Sequence, residues 1–96
     1  MGIRDREQIE KHTEPNIGAL RVALTREMER QHLTLEDLSN RTGLSRTSIW
    51  NLANGEFVGK LLTWHTLAQA LNVPLCYFAQ ALELPVGEYM PPYREE

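Results

Sequence analysis

Cysteine and long hydrophobic runs are nearly absent from this sequence of 96 residues. Its one cysteine, Cys76, permits no internal disulfide and no cysteine-based metal cluster, so a reducing, cytoplasmic compartment is expected. No apolar stretch approaches the ~20 residues that a membrane-spanning helix needs. The N-terminal segment MGIRDREQIE is too charged for a signal peptide. The sequence therefore predicts a protein without a membrane partner.

Catalytic motifs are also missing. The chain contains no nucleophile elbow, phosphate-binding loop, HExxH or CxxC sequence. The neighbouring carboxylates of Glu36 and Asp37 suit the start of a helix better than acid–base chemistry, because a helix N-terminus attracts negative charge. His65 has no clustered ligands beside it, which argues against a metal site. We therefore expect no enzymatic activity, no cofactor and no metal.

An excess of positive charge is the third absence. The 10 Lys and Arg residues are outnumbered by 13 Asp and Glu, giving a net charge of −3. Composition divides the chain into a charged arm at residues 1–15, a central domain at 16–82 and a proline-rich acidic tail at 83–96. The central domain holds six basic and five acidic residues. Binding of a polyanion by so weak a field would depend on specific contacts and on dimerisation.

The sequence does contain the start and stop signals of two short helices joined by a tight turn, between residues 33 and 55. Thr34, followed three residues later by an aspartate, has the arrangement of a capping box. Gly43 tolerates the left-handed conformation of a tight helix exit, and Ser45 caps the next helix. An Asn-Gly pair ends that helix. The pattern predicts a helix-turn-helix whose second helix spans residues 46–54.

This second helix is predicted to have one apolar and one polar face. At about 100° per residue, Ile49 and Leu52 fall on one side. Together with Leu35, Leu38 and Leu44, they are expected to form the apolar contact between the two helices of the motif. The other side carries side chains that can contact base edges: Arg46, Thr47, Trp50, Asn51 and Asn54.

With this motif in place, residues 16–82 resemble the phage-repressor and Cro-like helix-turn-helix family, often called the Xre family. The matching residues are Leu33-Thr34, Leu38, Gly43-Leu44-Ser45, Ser48-Ile49, Asn54-Gly55 and the LAQALNV segment at 67–73. The resemblance implies an all-α, compact five-helix bundle of the lambda-repressor-like type, with a central helix-turn-helix and an extended C-terminal tail. It also implies that the third helix enters the major groove of double-stranded DNA.

Two sets of DNA contacts are expected from this resemblance. Base contacts are assigned to Arg46, Thr47, Trp50 and Asn51, and phosphate contacts to Thr34, Ser45, Asn54 and Lys60. Arg46 can pair bidentately with guanine, or else contact phosphate or remain an exposed charge; Asn51 can pair in the same way with adenine, or else contact phosphate. Trp50 is unusual for the family, and we expect it either to be partly buried against the following loop or to lie against thymine methyls or sugars. In that loop, Phe57 and Val58 are expected to anchor the chain to the core.

Two positions depart from the family pattern. Leu35 occupies the place of a glutamine that often bridges phosphate to the recognition helix. Its presence removes one expected polar contact. Ser39 replaces a favoured alanine, and its hydroxyl is expected to bond back to its own helix.

The helices on either side of the motif supply the rest of the predicted core. Asn16 caps a first helix that runs to about Gln31, and Asn72 ends the fourth. The inward residues are Ile17, Leu20, Ala23, Leu24 and Met28 on the first helix, and Leu61, Trp64, Leu67, Ala68 and Leu71 on the fourth. The fifth helix is predicted to turn Leu75, Phe78, Ala79 and Leu82 to its apolar side, with Tyr77 and Ala81 off it.

The C-terminal part of the chain offers two contact surfaces. Leu75, Phe78 and Leu82 form the expected homodimer interface, and Cys76 is expected to be buried or at its edge. Three prolines and a glycine after Leu84 prevent a stable helix, so the tail is predicted to be extended. Its apolar residues are expected to pack onto the domain or a second subunit: Tyr89, Met90 and Tyr93.

Together these features predict a sequence-specific, dimeric transcription repressor in the cytoplasm, bound to the nucleoid. Two recognition helices ~34 Å apart would read a palindromic operator. One alternative is the antitoxin or controller protein of a two-gene module that represses its own promoter. The other is an adaptor that kept the fold but lost DNA binding. A toxin, an anti-repressor or polymerase is the expected protein partner.

Overall fold

The computed structural model describes residues 14–54 and 58–89. Over these residues the chain forms helices and no strand. The helices are α1 (Ile17–Arg30), α2 (Leu35–Thr42), α3 (Arg46–Ala53), α4 (Leu61–Leu71) and α5 (Leu75–Leu82). The predicted all-α class and small helical bundle are confirmed. Most of the predicted N-terminal arm, together with Phe57, Met90 and Tyr93, lies outside the described residues.

The ends of α2 and α3 follow from local sequence. Thr34 Oγ1 accepts the backbone N–H of Asp37 at 3.1 Å, and Asp37 Oδ2 accepts the backbone N–H of Thr34 at 2.9 Å. This is the predicted capping box. Gly43 ends α2 with a φ of 82°, in the left-handed region where a side chain would be strained. Ser45 Oγ then accepts the N–H of Ser48 at 3.0 Å and starts α3.

A single apolar core joins the helices. α1 packs against α3 and α5, α2 against α3 and α4, and α4 against α5. The largest fully buried apolar side chains are Leu24, Leu38, Ile49, Leu52, Leu67, Leu71 and Phe78. The rings of Trp64 and Phe78 meet edge to face, with 5.1 Å between their centroids. Because Ile49 and Leu52 are held in this core, the opposite face of α3 must point outward.

Four positions differ from the helical-spacing prediction. Leu61, predicted to face inward, is 68% exposed. The first turn of α4 projects past the core, which begins at Trp64. The indole N–H of Trp64 donates to the carbonyl of Val58 at 2.6 Å. On α5, Tyr77 and Ala81 are buried and Ala79 is exposed, the reverse of the prediction. Since α1 and α4 both pack on α5, its inward face is set by two neighbours and not by its most apolar side.

A buried carboxylate was not anticipated from the sequence. Glu27 is fully buried in α1. Its Oε1 accepts hydrogen bonds from Arg30 Nε at 3.1 Å and from Gln31 Nε2 at 3.0 Å. Gln31 Nε2 also donates to the carbonyl of Leu71 at 2.7 Å, which ties the end of α1 to the end of α4. These bonds compensate the cost of removing the carboxylate from water.

Asn16 joins the two ends of the described chain. Its Oδ1 accepts the N–H of Ala19 at 2.9 Å, as expected of a helix cap. Its backbone N–H donates to the carbonyl of Leu82 at 3.0 Å. Its side-chain Nδ2 donates to the carbonyls of Pro85 at 2.7 Å and Glu88 at 3.0 Å. The residue is 3% exposed. One buried side-chain amide therefore hydrogen-bonds to backbone groups both at the start of α1 and in the turn that follows α5.

The tail as far as Tyr89 lies on the domain. A Cβ atom added to Gly18 would be 3.7 Å from the Tyr89 ring, which places the ring over the first turn of α1. Tyr89 thus contacts the domain, one of the two predicted alternatives, while 48% of it stays exposed. Met90 and Tyr93, which were predicted to do the same, are outside the described residues.

Replacing Asn16 with alanine should destabilise the protein. We expect the free energy of unfolding to fall by about 1–3 kcal/mol, because the buried N–H of Ala19 loses its cap and the carbonyls of Pro85 and Glu88 lose their donor. Urea denaturation followed by circular dichroism measures this. Asn40→Ala, on the exposed surface of α2, is the matched control and should change stability by less than ~0.5 kcal/mol. Equal effects of the two substitutions would contradict the bridging role of Asn16.

Candidate nucleic-acid interface

The turn between α2 and α3 is closed by side-chain hydrogen bonds. Ser39 Oγ donates to the carbonyl of Leu44 at 2.6 Å. The expectation that it bonds back to its own helix is therefore wrong, because the left-handed Gly43 brings the Leu44 carbonyl within reach. Thr42 Oγ1 accepts the N–H of Leu44 at 3.1 Å. These bonds hold Leu44, just before α3, against the end of α2.

The outward face of α3 carries most of the predicted base-contact residues. Arg46 and Thr47 are exposed, and Trp50 is 46% exposed. Asn51 is half-buried. Arg46 and Thr47 lie in the first turn of α3 and Trp50 follows one turn after Arg46. A ligand approaching this face would meet a cation, a hydroxyl and an indole together.

The start of α2 and the outward face of α3 form one open depression. Its lining residues are Thr34, Leu35, Glu36, Arg46, Thr47 and Trp50. Over the described residues, the side chains of Arg46, Thr47 and Trp50 make no hydrogen bond or ion pair with the protein. DNA contacts were predicted for four of the lining residues, but Leu35 was predicted only to pack and Glu36 only to stabilise the helix start. For Leu35, the unusual leucine at a position where the family often has glutamine could have indicated a place in the site.

The remaining predicted phosphate contacts lie around this depression. Ser45 Oγ donates to Ser48 Oγ at 2.9 Å, so its hydroxyl serves the helix cap. Asn54 Nδ2 donates to the carbonyl of Trp50 at 2.9 Å and is turned back onto α3. Lys60 is exposed at the start of α4. Contact of these residues with phosphate stays a prediction.

The predicted dimer interface requires a correction. Phe78 is 1% exposed, because its ring packs in the core against Trp64, so it offers almost no surface to a second subunit. Leu75 and Leu82 are half-buried and border an apolar groove of about 210 Å³ between α1, α4 and α5. Cys76 is exposed and not buried. The dimer prediction now depends on Leu75 and Leu82.

The capping box beside the depression lowers the pKa of one carboxyl group. The pKa of the Asp37 carboxyl lies below its ordinary value of 3.8. The main cause is the hydrogen bond from the backbone N–H of Thr34, followed by the Thr34 hydroxyl, with a smaller contribution from the charge of Arg41. The carboxylate is therefore ionised at neutral pH and stabilises the start of α2.

Over the described residues, no group of His, Cys, Asp and Glu is arranged to hold a metal ion.

Comparison with known proteins supports this fold. No protein-family model and no curated protein sequence matches the chain. Among solved structures, the chain is similar to YmfM from Staphylococcus aureus, described as a proposed DNA-binding membrane protein. The identity is 26% and the TM-score 0.55, over 73% of this chain and 95% of the YmfM chain. Within the described part of this chain, no helix has the length and apolar character to cross a membrane. Membership of the Xre family stays a prediction.

The Asp37 cap should make stability depend on pH. Because the folded pKa is below 3.8, the contribution is fully present above that pH and is lost as pH falls through the folded pKa. We expect Asp37→Asn to be less stable than the wild type near pH 7, and the difference to shrink as pH falls below 3.8. Thermal unfolding across this range measures it. Glu36→Gln, a control outside the capping box, should cost less; the same loss and pH profile for both would contradict the assignment.

Proposed function

We propose that the chain is a sequence-specific, non-enzymatic binder of double-stranded DNA that acts as a dimeric transcription repressor. The observation that carries the proposal is the grouping of Arg46, Thr47 and Trp50 on the outward face of α3, beside the N-terminus of α2. The description of YmfM as a proposed DNA-binding protein supports the same conclusion.

The dimensions of α3 suit the major groove. An α-helix with its side chains is ~10–12 Å across, and the major groove of B-DNA is ~12 Å wide. In helix-turn-helix proteins, the N-terminal residues of the second helix contact base edges while the first helix crosses the backbone. Arg46 and Thr47 occupy those N-terminal positions, and Thr34 lies at the start of the helix that would cross the backbone.

The polar groups on and beside α3 then have distinct chemical roles. The guanidinium of Arg46 can donate two parallel hydrogen bonds to guanine O6 and N7. Thr47 offers a hydroxyl and a methyl to the neighbouring base. Backbone N–H groups at the start of α2 and the ammonium of Lys60 supply phosphate contacts, which position α3 without reading sequence.

A dimer supplies the affinity that a weakly charged domain lacks. With six basic and five acidic residues between positions 16 and 82, non-specific attraction to phosphate is small. Two domains joined through Leu75 and Leu82 would place two copies of α3 on half-sites ~34 Å apart. The operator would accordingly be palindromic.

A protein-binding adaptor is the second candidate function. It is favoured by two exposed or half-exposed apolar residues in the depression, Leu35 and Trp50, and by the carboxylate of Glu36 beside them. An adaptor would use this surface for another protein and would not enrich any DNA sequence. Selection on DNA therefore separates the two functions.

Selection of bound duplexes from a random library tests the proposal. We expect a palindromic motif from the wild type, and a relaxed guanine preference with Arg46→Ala, since a bidentate arginine–guanine pair contributes ~1–3 kcal/mol of discrimination. Arg21→Ala, which removes an equal charge from α1, is the matched control and should retain the motif. Absence of any enrichment at low salt from folded protein would reject DNA recognition and favour the adaptor.

A further inference from the structure

The depression beside α3 contains an apolar part that the proposed guanine contact does not use. Leu35, on the first turn of α2, and Trp50, on the second turn of α3, line it together. Leu35 is half-buried and Trp50 is 46% exposed, so each side chain presents hydrocarbon to the outside. Because the two residues come from different helices, their separation is fixed by the closed turn at Gly43. The result is a pre-formed apolar surface at the edge of α3.

Between the Leu35 and Trp50 side chains, the charges favour an uncharged group over a phosphate. Glu36 and Arg46 line the same depression and contribute one negative and one positive charge. A phosphate seated here would face the Glu36 carboxylate as well as the guanidinium. An uncharged group avoids that repulsion and gains from removal of the leucine and indole surfaces from water.

We infer that Leu35 and Trp50 bind the 5-methyl group of a thymine, and that they select thymine at one position of each half-site. The inference rests on the proposed DNA binding. In the major groove, the apolar group that distinguishes one base edge from the others is the thymine methyl. Leu35, whose presence removes a polar contact, thus acquires a positive role in specificity.

The position of this thymine follows from helix geometry. Trp50 is four residues after Arg46, which corresponds to ~6 Å along the axis of α3. Successive bases on one DNA strand are ~3.4 Å apart. The selected thymine should therefore lie about two base steps from the guanine that Arg46 contacts.

The test uses the motif obtained by selection and removes one methyl group at a time. Each thymine is replaced in turn by deoxyuridine, which differs from thymine only in lacking the 5-methyl group, and the dissociation constant is measured by fluorescence anisotropy. At the selected position the wild type should bind about fourfold more weakly, which corresponds to loss of ~0.8 kcal/mol for one buried methyl-sized group. At the other thymines the replacement should have little effect.

Variants assign the effect to the two side chains. Trp50→Ala and Leu35→Ala should each bind the thymine and deoxyuridine duplexes equally, whereas Leu62→Ala, which removes an exposed leucine from α4, should keep the fourfold difference. Circular dichroism confirms that each variant is folded, and if one variant does not fold the other carries the test.

The outcomes separate this inference from the proposed function. A motif without thymine near the guanine, or a motif in which deoxyuridine has no effect anywhere, would overturn the methyl contact and leave DNA recognition intact. Retention of the difference in Leu35→Ala would overturn the part assigned to that residue. If the wild type selects no motif at all, the proposed function itself is wrong.

Discussion

The α2–α3 turn is the constraint on which the rest of the site depends. Gly43 provides a backbone conformation that other residues adopt only under strain, and the Ser39 hydroxyl holds the Leu44 carbonyl across the turn. Burial of Ile49 and Leu52 then removes the rotational freedom of α3 about its axis. With the turn and the rotation both fixed, the polar face of α3 lies beside the first turn of α2.

This arrangement explains how a weakly charged protein can present a recognition surface. Binding of a polyanion does not require a large positive charge if hydrogen-bond donors and apolar groups are held in place before binding, because binding then costs less conformational entropy. Arg46 and Trp50 stand one turn apart on a helix anchored in the core, and Leu35 meets them from α2. In the proposed function, specificity would come from fixed geometry, and phosphate contacts would contribute a smaller share.

Polar groups inside the domain hold the scaffold that carries this surface. Asn16 ties the start of α1 to the turn after α5, and Glu27 with Gln31 ties the end of α1 to the end of α4. These bonds satisfy backbone and carboxylate groups that burial would otherwise leave unpaired. They act at opposite ends of α1, the helix that packs against both α3 and α5.

The sequence by itself determined the all-α class, the caps that start α2 and α3, and the burial of Ile49 and Leu52, which turns the opposite side of α3 outward. Those properties depend on local interactions: the caps at Thr34 and Ser45 and the left-handed turn at Gly43 each involve residues a few positions apart. Only the tertiary structure decided which face of α5 is buried, that Leu61 is exposed, and that Leu35 and Glu36 share a depression with Arg46 and Trp50. These depend on which helices pack together and at what angle, information that helical periodicity does not contain.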